Sequence, residues 1–108
     1  MRIEHNKLVR DNIPRIINDA NKQCKTRILD EDEYRLELKK KLIEESNEVL
    51  KAEDKDEITK EITDVLEVLD ALKETYNISN ETIETIKNNK AIKNGKFKEK
   101  IFLEYVEE

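Results

Sequence analysis

The chain has 108 residues, the length of one domain, and 44% of them are charged, well above the roughly 25% of an average soluble protein. One glycine and one proline are too few turn formers for collagen-like, flexible-linker or many-turn all-β architectures. The net charge of −5 disfavours a nucleic-acid partner, and the absence of a long apolar run predicts no membrane partner and a cytoplasmic location.

The first thirty residues are predicted to contain an arm and one short helix. Residues 1–10 show no helical periodicity and are predicted to form the arm. Asp11 is expected to cap the first helix, with Pro14 in its first turn, where a missing N–H group is tolerated.

The second helix is predicted to begin at a capping box. Asp30 and Glu33 have the spacing of that motif, and the helix is expected to run to about Ala52. An apolar seam of the heptad type follows this helix and is interrupted by a glutamate at its centre. The seam comprises Leu38, Leu42, Glu45, Val49 and Ala52.

Asp54 and Glu57 suggest another cap, after which a third helix is predicted over residues 55–76. Its apolar side chains cover more than one face between Ile62 and Leu72. A helix with several apolar faces is buried on several faces. So short a chain offers few elements to bury them. We therefore expect a second copy to supply the cover, in a homodimer or a dimer of dimers.

Ser79 is expected to cap a fourth helix that ends at Gly95. The segments 26–29 and 100–106 are rich in β-prone side chains, and we expect a minor β pairing between them. Residues 1–108 are thus predicted to form a single all-α domain, a bundle of about four helices.

Paired carboxylates are the feature of the sequence with the most chemical content. Glu45 and Glu48 are three residues apart in the second helix, as are Glu61 and Asp64 in the third, and residues at this spacing share a helix face. Two antiparallel helices would bring all four together. Such a group of oxygen ligands suits a hard divalent cation such as Mg²⁺.

An alternative interpretation is that these pairs are solvated helix faces. Acidic residues number 26 of 108, so pairs at this spacing also arise from composition alone. The protein would then be a non-catalytic helical interaction module. The seam position of Glu45 favours a metal, because an uncompensated carboxylate that faces a core costs several kcal/mol.

Three segments, in this order, resemble the MazG-like superfamily of all-α nucleoside triphosphate pyrophosphatases. The central one is an EExxE pattern at residues 44–48, followed after a gap of 12 residues by ExxD at 61–64. The opening KLVRDNIP of residues 7–14 and the closing KNGKF of residues 93–97 resemble a small phosphoribosyl-ATP pyrophosphohydrolase-like subgroup. This chain has Lys96 where the subgroup usually has a second glycine.

The resemblance implies an enzyme that dimerises through its central helices. Its reaction would be Mg²⁺-dependent hydrolysis of a nucleoside triphosphate, or a related nucleotide, between the α and β phosphates, giving a monophosphate and pyrophosphate. Mn²⁺ is an alternative ion. By position, the metal ligands would be Glu45, Glu48, Glu61 and Asp64, with Glu44 as an accessory acid.

Residues are also predicted for proton transfer and for phosphate binding. Glu45 or Glu48 is predicted to take the proton of the attacking water. We expect the arm and the loop after the fourth helix to lie near the carboxylates and to bind phosphate. The phosphate-binding candidates are Lys7, Arg10, Lys93 and Lys96.

Two alternatives concern this assignment. Arg10 is the strongest phosphate candidate, because arginine binds phosphate in a bidentate manner, but it could instead pair with an acid such as Asp11 or Glu104 and fix the arm. The whole protein could also be a regulatory module that binds nucleotides without hydrolysing them.

Overall fold

Four α-helices and no strand make up the regular structure of the computed structural model, which describes residues 1–108. The prediction of an all-α fold with about four helices is confirmed. None of the helices is long and apolar enough to cross a lipid bilayer. The helices are α1 (Ile13–Asp19), α2 (Glu31–Lys51), α3 (Lys55–Thr75) and α4 (Asn80–Asn94).

The chain forms two units, Met1–Asn77 and Ile78–Glu108. The first unit contains the arm and helices α1 to α3, and the second contains α4 and the tail. Within the first unit, α2 and α3 pack together as an antiparallel hairpin. Arg35 near the start of α2 donates a hydrogen bond to the backbone carbonyl of Thr75 at the end of α3, which ties the open end of the hairpin.

Side-chain caps begin α2, α3 and α4 at the residues that the sequence predicts. In each case a side-chain oxygen accepts a hydrogen bond from the backbone N–H three residues later, which satisfies one of the unpaired donors of the first turn. Gly95 ends α4 with a φ of 82°, a conformation that glycine adopts without steric cost. The capping pairs are Asp30–Glu33 at 2.8 Å, Asp54–Glu57 at 2.8 Å and Ser79–Thr82 at 3.0 Å.

The predicted cap of the first helix is wrong. Asn12, not Asp11, precedes α1, and its side chain makes no capping hydrogen bond. Asn12 has helical backbone angles, φ −88° and ψ −4°, whereas a side-chain cap needs an extended residue at that position. Pro14 also lacks one of the N–H groups that such a cap would bind.

The predicted β pairing of residues 26–29 with residues 100–106 is also wrong, because neither segment forms a strand. Lys100 has a φ of 59°, in the left-handed region, and this interrupts the extended backbone that a strand requires. Arg27 pairs through its side chain with Glu33 at 3.0 Å, so its segment joins the start of α2.

The buried side chains lie where α2 and α3 meet. Leu38 is 3% exposed and Val68 is 8% exposed, and the remaining seam residues of α2 are half-buried. The seam therefore faces the hairpin interior, as its periodicity predicts. Glu45 belongs to this seam, so the packing of the hairpin turns its carboxylate towards α3.

Candidate functional site

Three carboxylates from the two hairpin helices form one group. Ligand oxygens of Glu45, Glu61 and Asp64 all lie within 4.8 Å of one another. Glu45 comes from the seam of α2, where its side chain is only 14% exposed, and the other two share one face of α3 because they are three residues apart. These residues are called the carboxylate group below.

Glu48 lies outside the carboxylate group. It is one helical turn beyond Glu45, its side chain is 48% exposed, and Lys51 approaches it to 4.0 Å. The structure thus brings together three of the four predicted ligands. The fourth stands beside them, close enough for its charge to act on Glu61.

The carboxylates disturb one another electrostatically. Partial desolvation, and then the negative charges of Asp64, Glu48 and Glu45, raise the pKa of Glu61. Like charges held close together favour protonation of one of them. A bound cation would reduce this repulsion, so the electrostatics of the carboxylate group favour a positively charged ligand.

The N-terminal arm supplies positive charge to the same place. The guanidinium of Arg10 donates a hydrogen bond of 2.9 Å to Asp64, 54 residues away in the chain. The ammonium of Lys7 lies 3.4 Å from Glu44. The arm therefore reaches the carboxylates, as expected, but the acid that pairs with Arg10 is Asp64 rather than Asp11 or Glu104.

Lys41 is a residue of the site that the sequence analysis did not identify. Its ammonium lies 3.4 Å from Glu44 and 3.7 Å from Glu45, and its side chain is largely buried. Desolvation acts to raise the pKa of Glu44, but Lys41 and then Lys7 outweigh it and lower the pKa. The spacing of three and four residues along α2 could have indicated these pairs.

The two remaining phosphate-binding candidates belong to the second unit. Lys93 is in the last turn of α4 and Lys96 follows Gly95, and both side chains are exposed. Their assignment to phosphate stays a prediction.

The donor set fits a hard divalent cation. All three groups are carboxylates, which Mg²⁺ and Mn²⁺ prefer over nitrogen and sulfur ligands. Neighbouring oxygen ligands of an octahedral Mg²⁺ lie about 3 Å apart, so oxygens within 4.8 Å of one another would have to close by up to about 2 Å, through rotation of their side chains, to share one ion. Water would complete the coordination, since Mg²⁺ usually keeps several waters.

No protein-family model, curated protein or solved structure matches this chain. Membership of the MazG-like superfamily therefore stays a prediction that depends on the three sequence segments.

Proposed function

We propose that the protein is a nucleotide pyrophosphohydrolase. It would hydrolyse a nucleoside triphosphate, or a related nucleotide, between the α and β phosphates in the presence of Mg²⁺ or Mn²⁺. The observation that carries the proposal is the carboxylate group, with Arg10 of the predicted KLVRDNIP motif bonded to one of its members, Asp64. Two of the motifs behind the resemblance thus meet at one place.

A triphosphate carries three to four negative charges, so a purely acidic site would repel it. When bound, the divalent cation would supply positive charge against the phosphates and lower the pKa of a nearby water. Glu45, Glu61 and Asp64 would hold the cation. Arg10 would add a planar, two-pronged donor for phosphate oxygens.

Glu45 and Glu48 remain the two candidates for taking the proton of water, and their surroundings differ. Glu45 is largely buried, lies in the carboxylate group and has Lys41 at 3.7 Å. Glu48 is exposed and outside that group. A carboxylate that holds a cation is a poorer base, which favours Glu48 for the proton.

The decisive experiment is a pyrophosphate-release assay over the common, deoxy and oxidised nucleoside triphosphates, with and without Mg²⁺. We expect pyrophosphate and a monophosphate, and no orthophosphate. Glu48→Gln should reduce turnover about 10²–10⁴-fold, the usual worth of a positioned acid or base, and Glu45→Gln should reduce it by removing a carboxylate that would hold the cation. Glu67→Gln, an exposed acid of the same hairpin, is the matched control and should retain activity.

The outcomes separate the competing functions. A nucleotide-binding regulator would be stabilised by Mg²⁺ and nucleotide together and would release no pyrophosphate. A helical interaction module would show no change in melting temperature with millimolar Mg²⁺, because only a ligand that binds the folded state stabilises it.

Glu48→Gln distinguishes the two roles of Glu48. If Glu48 takes the proton, its loss should lower turnover and leave the Mg²⁺ dissociation constant near that of the wild type. If Glu48 is a metal ligand, Mg²⁺ affinity should fall as well. Isothermal titration with Mg²⁺ in the absence of nucleotide measures this difference directly.

We also propose that the working form is a homodimer or a dimer of dimers. Three apolar side chains of α3 remain exposed beside its contact with α2: Ile62, Leu66 and Leu69. A second copy would bury them, which is favourable in proportion to the apolar area removed from water.

A further inference from the structure

The two basic side chains of the arm pair with different acids, one inside the carboxylate group and one outside it. Arg10 pairs with Asp64 at 2.9 Å, and Asp64 belongs to the carboxylate group. Lys7 pairs with Glu44 at 3.4 Å, and Glu44 lies outside that group, where Lys41 also neutralises it. One contact of the arm thus engages a carboxylate that a metal would need, and the other does not.

We propose that Arg10 and a divalent cation compete for Asp64, so that metal binding releases Arg10 for the phosphates while Lys7 keeps the arm tethered to Glu44. Arg10 would then be a positioning residue before the metal binds and a phosphate ligand afterwards. This inference rests on the proposed function, because it treats the carboxylate group as a cation site.

The charges favour such an exchange. A divalent ion at the carboxylate group and the guanidinium of Arg10 would be like charges a few ångströms apart, with strong mutual repulsion. The Arg10 and Asp64 side chains are both solvent-accessible, and an ion pair of this kind stabilises weakly. The guanidinium can therefore leave Asp64 for water or phosphate at low cost.

The tether keeps the released arginine close to the site. Glu44 is held by Lys41 on its own helix as well as by Lys7, and it is not needed by the cation. Arg10 is three residues from Lys7, and an extended chain spans about 3.5 Å per residue. Its backbone therefore stays within about 10 Å of that of Lys7, within reach of a phosphate at the carboxylate group.

The test is the direction in which Mg²⁺ affinity changes, measured by isothermal titration without nucleotide. Arg10→Gln removes the competitor and should tighten Mg²⁺ binding about two- to fivefold, in keeping with the weakness of an exposed ion pair. Lys7→Gln removes one positive charge from the same arm and is the matched control for general electrostatics. The gain from Arg10→Gln should exceed the gain from Lys7→Gln.

A second measurement follows the arginine itself. In ¹⁵N spectra of the wild type, Mg²⁺ should shift the side-chain Nε signal of Arg10, assigned with the Arg10→Lys variant, towards the position of a solvated arginine. The signal of Arg2, whose partner is Glu4, should not move.

Three results would overturn the inference alone, and a fourth would overturn the proposed function with it. If Arg10→Gln weakens Mg²⁺ binding, then Arg10 supports the metal site by orienting Asp64. If it changes Mg²⁺ binding no more than Lys7→Gln does, then Arg10 has no specific effect on Asp64. If the Arg10 signal does not respond to Mg²⁺, no exchange occurs. The proposed function survives in these cases, whereas a wild type that binds no Mg²⁺ at millimolar concentration would refute both.

Discussion

At the scale of single residues, Glu61 and Glu44 show how neighbouring charges act in opposite directions within one small region. Partial desolvation and three nearby carboxylates raise the pKa of Glu61. Lys41 and Lys7 lower the pKa of Glu44 against the effect of its own desolvation. Because a pKa that differs between the folded and unfolded states changes stability with pH, the two acids contribute with opposite sign.

Glu61→Gln should therefore raise the melting temperature of the metal-free protein at pH 7. The ionised carboxylate is unfavourable in the folded state above its folded pKa, and this penalty disappears as the pH falls through that pKa towards the unfolded value. The advantage of the variant should shrink over the same range. Melting followed by circular dichroism at neutral and acidic pH tests this.

Glu44→Gln should have the opposite effect and lower the stability at pH 7, by less than about 1 kcal/mol because the pair is solvent-exposed. Its contribution is present above the unfolded pKa and is lost as the pH falls through the lowered, folded pKa. Glu67→Gln again serves as the control on α3. Equal shifts for the Glu44 and Glu61 variants would contradict the electrostatic account.

Mg²⁺ should reverse the order of the melting temperatures of the wild type and Glu61→Gln. With Mg²⁺ present, the wild type should gain stability by mass action, whereas Glu61→Gln would lack one of the three proposed ligands. The variant that is more stable without metal should be the less stable one at millimolar Mg²⁺. This crossing of melting temperatures is specific to a metal ligand, since a merely repulsive carboxylate would not produce it.

At the scale of the elements, the hairpin of α2 and α3 is what holds the carboxylates together. Its buried side chains are Leu38 and Val68, and its open end is tied by Arg35, which donates to Thr75 and lies 4.3 Å from the ring of Tyr76. Because the hairpin has few buried side chains, the loss of any one of them should lower its stability noticeably. The carboxylate group depends on this packing, because its members come from both helices.

Leu38→Ala should reduce the free energy of unfolding by about 2–5 kcal/mol, the range for a buried leucine replaced by alanine. Leu50→Ala on the same helix is the control, since Leu50 is 84% exposed and such changes usually stay within about 0.5 kcal/mol. Urea denaturation at one fixed protein concentration measures both. Equal effects at the two positions would show that the seam is not the core.

At the scale of the whole molecule, exposed apolar side chains of α3 are the basis of the proposed self-association. Ile62, Leu66 and Leu69 are exposed on this helix, although its residue Val68 is buried. Contiguous exposed apolar side chains of this kind mark interaction surfaces. The proposed self-association makes use of these side chains.

Light scattering on the wild type at micromolar concentration should give at least twice the chain mass of 12.8 kDa. Replacing Leu66 and Leu69 together with aspartate should shift the protein towards monomer, because burying two unpaired charges in an interface is strongly unfavourable. Ile28→Asp, at an exposed site before α2, should not change the mass. A wild-type monomer would contradict the assembly proposal.

Local sequence determined most of the secondary structure. Caps at Asp30, Asp54 and Ser79 and the glycine stop after α4 act within one helical turn, so the residues alone specify where these three helices begin and where α4 ends. The start of α1 was not predictable in this way. There Asn12 has helical backbone angles and its side chain makes no capping hydrogen bond.

The seam periodicity of α2 likewise placed Glu45 on the face that meets α3, and the i,i+3 spacing placed Glu61 and Asp64 on one side of α3. Only the tertiary structure decided that these three converge while Glu48 stays outside, and that Arg10 selects Asp64. The physical reason is the distance along the chain over which each effect acts. Helix periodicity orients neighbours within a turn or two, whereas packing of the arm and both helices brings together residues up to 54 positions apart.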